Sequence, residues 1–177
     1  YGRVPELAPK VNFEVTKTDK DEMNGSAIRK EIVCNIGDKP DGLNVNIVMY
    51  LPVKTTGPVP VLLHLLFGNP PASVSPSAST NSSRPNETGP ISDILARGYG
   101  YATFRYTEIE GDSRTNNLTL VRRLALAPDQ TQPAAGEWGT ITAWAWAASR
   151  VLDYFETDRA VDTKRVALIG HSRLGKT

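Results

Sequence analysis

The sequence predicts an α/β fold built on one mixed sheet, antiparallel at its start and parallel in its core. Three observations carry this. Residues 11–18, 27–36 and 44–51 read as strands, with Val45, Ile47 and Met49 on one face of the third, because apolar and polar residues alternate with the period of a pleated chain. Residues 61–67 (Val-Leu-Leu-His-Leu-Leu-Phe) form an unbroken apolar run, which suits a strand covered on both faces, as in a parallel sheet. Beyond it, helix-like and strand-like segments take turns, as they do where helical crossovers join parallel strands.

The elements follow in order. Residues 37–42 (Gly-Asp-Lys-Pro-Asp-Gly) form a turn cluster. Pro52 closes the third strand, since proline lacks the donor that a sheet ladder needs. Residues 68–90, rich in Ser, Pro and Asn, read as a long loop, a feature that tends to be functional or mobile in compact domains. Residues 91–97 make a short helix that Gly98 caps, and 99–106 make another buried strand. Residues 107–136 read as irregular, with a helical turn around 118–126. The strongest helix signal covers 137–156, where Trp138, Ile141, Trp144, Ala145, Ala148, Val151, Leu152 and Phe155 recur at steps of three and four. A last buried strand, 165–169, runs straight into Gly170. In such sheets a ligand site is expected beyond the carboxyl ends of the strands.

Composition narrows the function classes. The formal net charge of +1 gives no drive toward nucleic acid or acidic membranes, and the longest apolar stretch, 59–67, is strand length, far short of the roughly 20 residues that cross a bilayer. Two histidines and one cysteine make a zinc site built on those ligands implausible, and no cofactor is expected. Cys34 sits in an apolar alternating stretch and reads as a buried, inert thiol. The Asn-x-Ser/Thr strings at Asn24, Asn81, Asn86 and Asn117 read as chance matches. The sequence begins with Tyr1 and carries no leader pattern, so its start is expected to reflect processing, cloning or truncation.

The chemistry concentrates in Gly170-His171-Ser172-Arg173-Leu174-Gly175-Lys176-Thr177. A serine just past a strand, flanked by small residues, suits a nucleophile elbow, the sharp strand-to-helix turn of the α/β-hydrolases. The strained turn pushes the hydroxyl outward, and the next backbone N–H, on Arg173, points at a developing oxyanion. The usual string is Gly-x-Ser-x-Gly, whereas here Leu174 holds the place of the second glycine and Gly175 follows. The same letters match a phosphate-cradling loop, Gly-x-x-x-x-Gly-Lys-Thr, in which Lys176 would meet phosphates and Thr177 a magnesium ion. Against that reading, such a loop normally opens its domain, and here about 165 residues precede it. A hydrolase-like fold used only for binding is the third class.

Several segments together resemble the glucuronoyl esterases, carbohydrate esterase family 15. The carriers are 170–176, the preceding Arg165-Val166-Ala167-Leu168-Ile169, Glu137-Trp138-Gly139-Thr140-Ile141 with Ala143-Trp144-Ala145-Trp146, Tyr99-Gly100-Tyr101-Ala102-Thr103, and Leu66-Phe67-Gly68-Asn69. The likeness runs from about Val11 to Thr177, and its Ser-Arg-x-Gly-Lys string accounts for the displaced glycine. Fungal members often carry cysteine where His171 stands, so this position looks more like bacterial members. The resemblance implies the N-terminal portion of an α/β-hydrolase three-layer sandwich. It also implies hydrolysis of esters between 4-O-methyl-glucuronic acid groups of xylan and lignin alcohols, by serine acyl transfer without a metal. Ser172 would be the nucleophile, Arg173 would line the oxyanion hole, and Arg173 and Lys176 would meet the substrate, Lys176 at the hydroxyls of the uronic acid. A secreted or periplasmic monomer with no nucleic-acid or membrane partner is the matching expectation.

Other residues draw blander readings. His171 is a structural neighbour, because adjacent side chains at an elbow point apart. His64 is a core histidine, and Trp138, Trp144 and Trp146 are packing residues. Phe67-Gly68-Asn69 follows a core strand where hydrolases often place a second oxyanion donor. In this fold the chain order is serine, acid, histidine, and no histidine follows Ser172. Residues 1–177 are therefore expected to form an incomplete hydrolase domain that ends at the elbow, inactive and poorly stable alone, with its last strand an uncovered sheet edge.

Overall fold

The computed structural model describes residues 1–6, 8–38, 42–70, 91–112 and 120–177. Six strands form one sheet in the order β1-β2-β3-β5-β4-β6. They are β1 (Val11–Asp21), β2 (Ala27–Ile36), β3 (Leu43–Pro52), β4 (Val59–Leu66), β5 (Gly100–Arg105) and β6 (Val161–Gly170). β1, β2 and β3 pair antiparallel, β3 joins β5 antiparallel, and β4 pairs parallel with both β5 and β6. The antiparallel start and parallel core are those the sequence predicts. The helical pieces are α1 (Glu22–Gly25), α2 (Ile91–Ala96), α3 (Val121–Leu124) and α4 (Thr140–Thr157). α1 is a hairpin turn whose Met23 and Asn24 are wound left-handed, with φ of 54° and 57°.

The core explains why β3 is buried on both sides. Ile47, Met49 and Leu51 face a large cluster with Leu63, Leu65, Phe104 and the α4 residues Trp144, Ala148, Val151 and Phe155. Val48 and Tyr50 face a smaller cluster with Ala27, Tyr101 and the α2 residues Ile91 and Leu95. Helices thus lie on both faces of the sheet, in three layers. Gly98 ends α2 at φ 79°, with its N–H bonded to the Leu95 carbonyl and the Tyr99 N–H to the Ile94 carbonyl. That double bond pattern closes a helix where only glycine adopts the left-handed backbone without strain.

Three expectations need correction. The helix predicted over 137–156 begins later, at Thr140. The chain start holds the preceding residues extended: Arg3 bridges Glu137, and the Gly139 N–H donates to the Tyr1 carbonyl at 2.7 Å. This pairing overrides the helical periodicity, and it needs Gly2, where a Cβ would lie 2.0 Å from the Glu137 carbonyl oxygen. The buried face of α4 is also rotated from the predicted stripe: Ala143, Trp146, Ala147 and Tyr154 are buried, whereas Leu152 is exposed. The sheet lies across Trp144, Ala147, Val151 and Phe155, so Leu152 falls outside the seam. Finally, the last strand starts at Val161 and is largely exposed, with Leu168 at 44 % and Ile169 at 37 %. Among the described residues its one strand neighbour is β4, so the predicted uncovered edge is present and the predicted burial is not.

Most of the predicted loop 68–90, the glycosylation strings at Asn81, Asn86 and Asn117, the middle of the turn 37–42 and part of the helical turn 118–126 fall outside the described residues. The part of that last turn which is described forms α3.

Candidate active site

β4, β5 and β6 run parallel, so their carboxyl ends deliver Phe67, Tyr106 and His171 to one edge of the sheet. The turn after β6 carries the candidate nucleophile. Ser172 has φ 55°, a left-handed backbone on a non-glycine residue, and it opens a short 3-10 turn, Ser172–Lys176. Such a conformation costs of order 1–3 kcal/mol and persists only where surrounding structure enforces it.

The enforcing contacts are visible. A Cβ on Gly170 would lie 2.3 Å from the Leu174 carbonyl oxygen and 2.7 Å from the Gly175 nitrogen, and a Cβ on Gly175 would lie 2.8 Å from the Gly170 carbonyl oxygen. The two glycines pack backbone to backbone across the turn. This gives the displaced second glycine a physical reason: contact with Gly170 falls at 175 because 174 is used otherwise. Leu174 points inward, 1 % exposed, as part of the larger core cluster. Its burial contributes about 1.5–3 kcal/mol to pinning the turn. A phosphate cradle turns successive N–H groups inward around an open anion site; here the Leu174–Gly175 backbone lies directly against Gly170, which disfavours the nucleotide alternative.

The other predicted site residues gather around this turn. Ser172, Arg173 and Lys176 are all exposed. The Arg173 guanidinium forms an ion pair with Asp112 and sits 5.8 Å from the centroid of the Phe67 ring. His171 is exposed and meets Phe67 edge-on, with centroids 6.3 Å apart. Phe67 also packs edge-on against Tyr106, and Tyr106 against Trp144, at 5.4 and 5.2 Å. An aromatic chain thus connects the α4 core to the underside of Arg173. His64 is elsewhere: its Nδ1 is 2.7 Å from the Tyr101 hydroxyl, beside the cluster under α2. Trp138, Trp144 and Trp146 are buried, as packing residues should be.

Two polar networks hold the flanking loops. After β4, the Asn69 side-chain carbonyl accepts a hydrogen bond from Arg105, whose guanidinium also pairs with Glu108 at 3.5 Å. Glu108 in turn accepts the Asn46 backbone N–H at 2.7 Å. After β5, the buried Glu110 accepts the Arg122 N–H at 3.1 Å, Arg122 Nε donates to the Trp138 carbonyl at 3.1 Å, and Trp144 Nε1 donates to the Glu110 carbonyl at 3.0 Å. These bonds fix the chain two residues before Asp112. Asp112 is the site residue that sequence reading missed. Its position shortly beyond the end of a core strand was a usable signal, obscured because 107–136 reads as irregular.

Among the described residues no three His, Cys, Asp or Glu side chains cluster as metal ligands, and no helix is long and apolar enough to cross a membrane.

Known proteins resemble this chain in sequence and fold. A family model described as glucuronyl esterase, fungi, matches residues 130–177. Carbohydrate esterase MZ0003, from an unknown prokaryotic organism, is 34 % identical over an alignment covering 100 % of this chain and 46 % of that protein. A glucuronoyl esterase from Solibacter usitatus superposes with a TM-score of 0.84 at 39 % identity, over 99 % of this chain and 49 % of that one. A carbohydrate esterase family 15 glucuronoyl esterase from Teredinibacter turnerae gives 0.79 at 28 %, over 99 % and 43 %. The chain spans about half the length of the relatives it matches.

Proposed function

We propose, from the likeness of this chain to the glucuronoyl esterases of carbohydrate esterase family 15, that Ser172 is the nucleophile of a carboxylic ester hydrolase acting on 4-O-methyl-glucuronoyl esters that link xylan to lignin alcohols. The observation that carries this reading is the left-handed backbone of Ser172, held at the end of a core strand by the Gly170–Gly175 contact. A side chain on such a turn projects outward from the sheet edge, where a bulky ester can reach it.

In the proposed reaction the Ser172 oxygen attacks the ester carbonyl, and the carbonyl oxygen gains negative charge. The first N–H groups of a helical turn lack intrahelical partners, so the Arg173 N–H is available to that oxyanion, with the guanidinium adding positive charge. Collapse expels the alcohol and leaves a glucuronoyl-serine ester, which water then hydrolyses. Lys176, further along the same short turn, suits the hydroxyls of the acidic sugar. Neither histidine of the chain suits the base: His171 packs against Phe67, and His64 bonds Tyr101. We assign the base and its orienting acid to the part of the relatives that these 177 residues do not span, which makes residues 1–177 one portion of the catalytic domain. Secretion fits a polymeric plant cell-wall substrate.

The test is turnover of a benzyl glucuronoate ester by the full-length protein. Ser172→Ala is expected to lower kcat by roughly 10⁴-fold or more. A variant that keeps the wild-type rate would remove Ser172 from the mechanism.

A further inference from the structure

We infer that Asp112 is a positioning residue for Arg173, holding its guanidinium over Phe67. The inference rests on the reading of Ser172 and Arg173 given above, and it assigns how that arginine is aimed.

The Arg173 side chain is 54 % exposed. A long exposed arginine samples many rotamers, whereas oxyanion stabilisation needs a donor already in place when charge develops. Two contacts restrict it. The Asp112 carboxylate, 27 % exposed, pairs with Nη1. The Phe67 ring lies beneath the guanidinium at 5.8 Å from its centroid, a distance at which the ring face attracts a cation. Both partners are themselves fixed. Phe67 is wedged between His171 and Tyr106. Asp112 follows Glu110, which is fully buried and hydrogen-bonded to Arg122 and Trp144. A carboxylate on such an anchored segment can orient a guanidinium that the 3-10 turn alone leaves free.

A carboxylate beside the arginine also weakens its positive potential, so the sign of the net effect has to be decided. The pair is partly exposed, so water screens the charge cancellation. Orientation is not screened, and a misplacement of about 1 Å at a reacting centre costs about 10²-fold. Positioning therefore dominates, and removing Asp112 lowers the rate.

The experiment is a double-mutant cycle in the full-length protein, read as kcat and KM on a benzyl glucuronoate ester. Asp112→Ala and Asp112→Asn are each expected to lower kcat by roughly 10–100-fold with KM changed less than about threefold, because the aimed group acts in the transition state. Asp112→Glu is expected to recover part of the loss. In an Arg173→Ala background, Asp112→Ala is expected to have no further effect, since its only route is through that arginine. An unchanged or raised kcat in Asp112→Ala overturns the inference, and so does a loss of the same size in the Arg173→Ala background. Ser172→Ala measured alongside keeps the two readings apart. Full activity there removes the nucleophile, whereas inactivity there with additive Asp112 and Arg173 effects removes only the positioning role.

Discussion

β4 and β6 are parallel neighbours in register, Val61 beside Val166 through Leu65 beside Gly170, and both read from sequence as apolar strands. Their surroundings differ. β4 has a strand on each side and buries Val61, Leu63, Leu65 and Leu66 to 1 % exposure or less. β6 has one strand neighbour among the described residues and leaves Leu168 and Ile169 in the open. An apolar run specifies a strand suited to cover on both faces, and within these 177 residues β4 is covered and β6 is not. The elbow lies at the end of the exposed strand, β6. It is held by pairing to β4, by the backbone contact of Gly170 with Gly175, and by Leu174 in the core.

The largest effect should come from the joint between β6 and the turn. Gly170→Ala places a methyl 2.3 Å from a backbone oxygen that no side-chain rotation can move. The turn must shift, and esterase activity of the full-length protein is expected to fall roughly 10²-fold or more, with about 1–3 kcal/mol of stability lost to overpacking. Wild-type kinetics in that variant would mean the elbow is not held by this contact.

Next come the strands themselves. Leu65→Ala in β4 is expected to cost about 2–5 kcal/mol. In the 177-residue chain, Leu168→Ala should cost about 0.5 kcal/mol or less, as surface changes do. Denaturant titration of both variants checks the ratio, and equal losses would erase the contrast between the strands.

The smallest effect is chemical. Cys34 is buried on the α4 side of β2, and burial pushes its thiol up from 9.0 to about 12. The folded state therefore holds the proton more tightly than the unfolded chain. The stabilisation is complete below about pH 9, where both states are protonated, and is lost as pH rises toward 12, by at most about 1.4 kcal/mol per pH unit. At pH 8 Cys34 is expected to resist a thiol reagent until denaturant is added. In a Cys34→Ala background of the 177-residue chain, Leu168→Cys should react at once. Chemical denaturation of wild type and Cys34→Ala between pH 8 and 11 measures the linkage directly.

Much of the sheet was legible because strand periodicity is local. Residues 27–36 and 61–66 carry their burial in their own sequence, and Gly98 marks a helix end by its backbone freedom alone. The features that were not legible depend on distant partners. Residues 137–139 have helical periodicity, yet Tyr1 and Arg3 hold them extended. The rotation of the α4 face follows from where the sheet lies, not from the spacing of apolar residues. At the site, the serine was visible through its glycines and its place after a strand. Asp112 was not, because an aspartate in an irregular segment looks like any solvated turn residue until Arg173, 61 positions later, folds beside it.

The most direct test of the central claim is covalent. The full-length protein would be incubated with an aryl phosphonate ester, which traps a nucleophilic serine as a stable adduct, and digested for mass spectrometry. A single adduct on the peptide containing Ser172, absent in Ser172→Ala, is the expected result. An adduct on another residue, or none under conditions where the enzyme turns over its ester, contradicts Ser172 as the nucleophile.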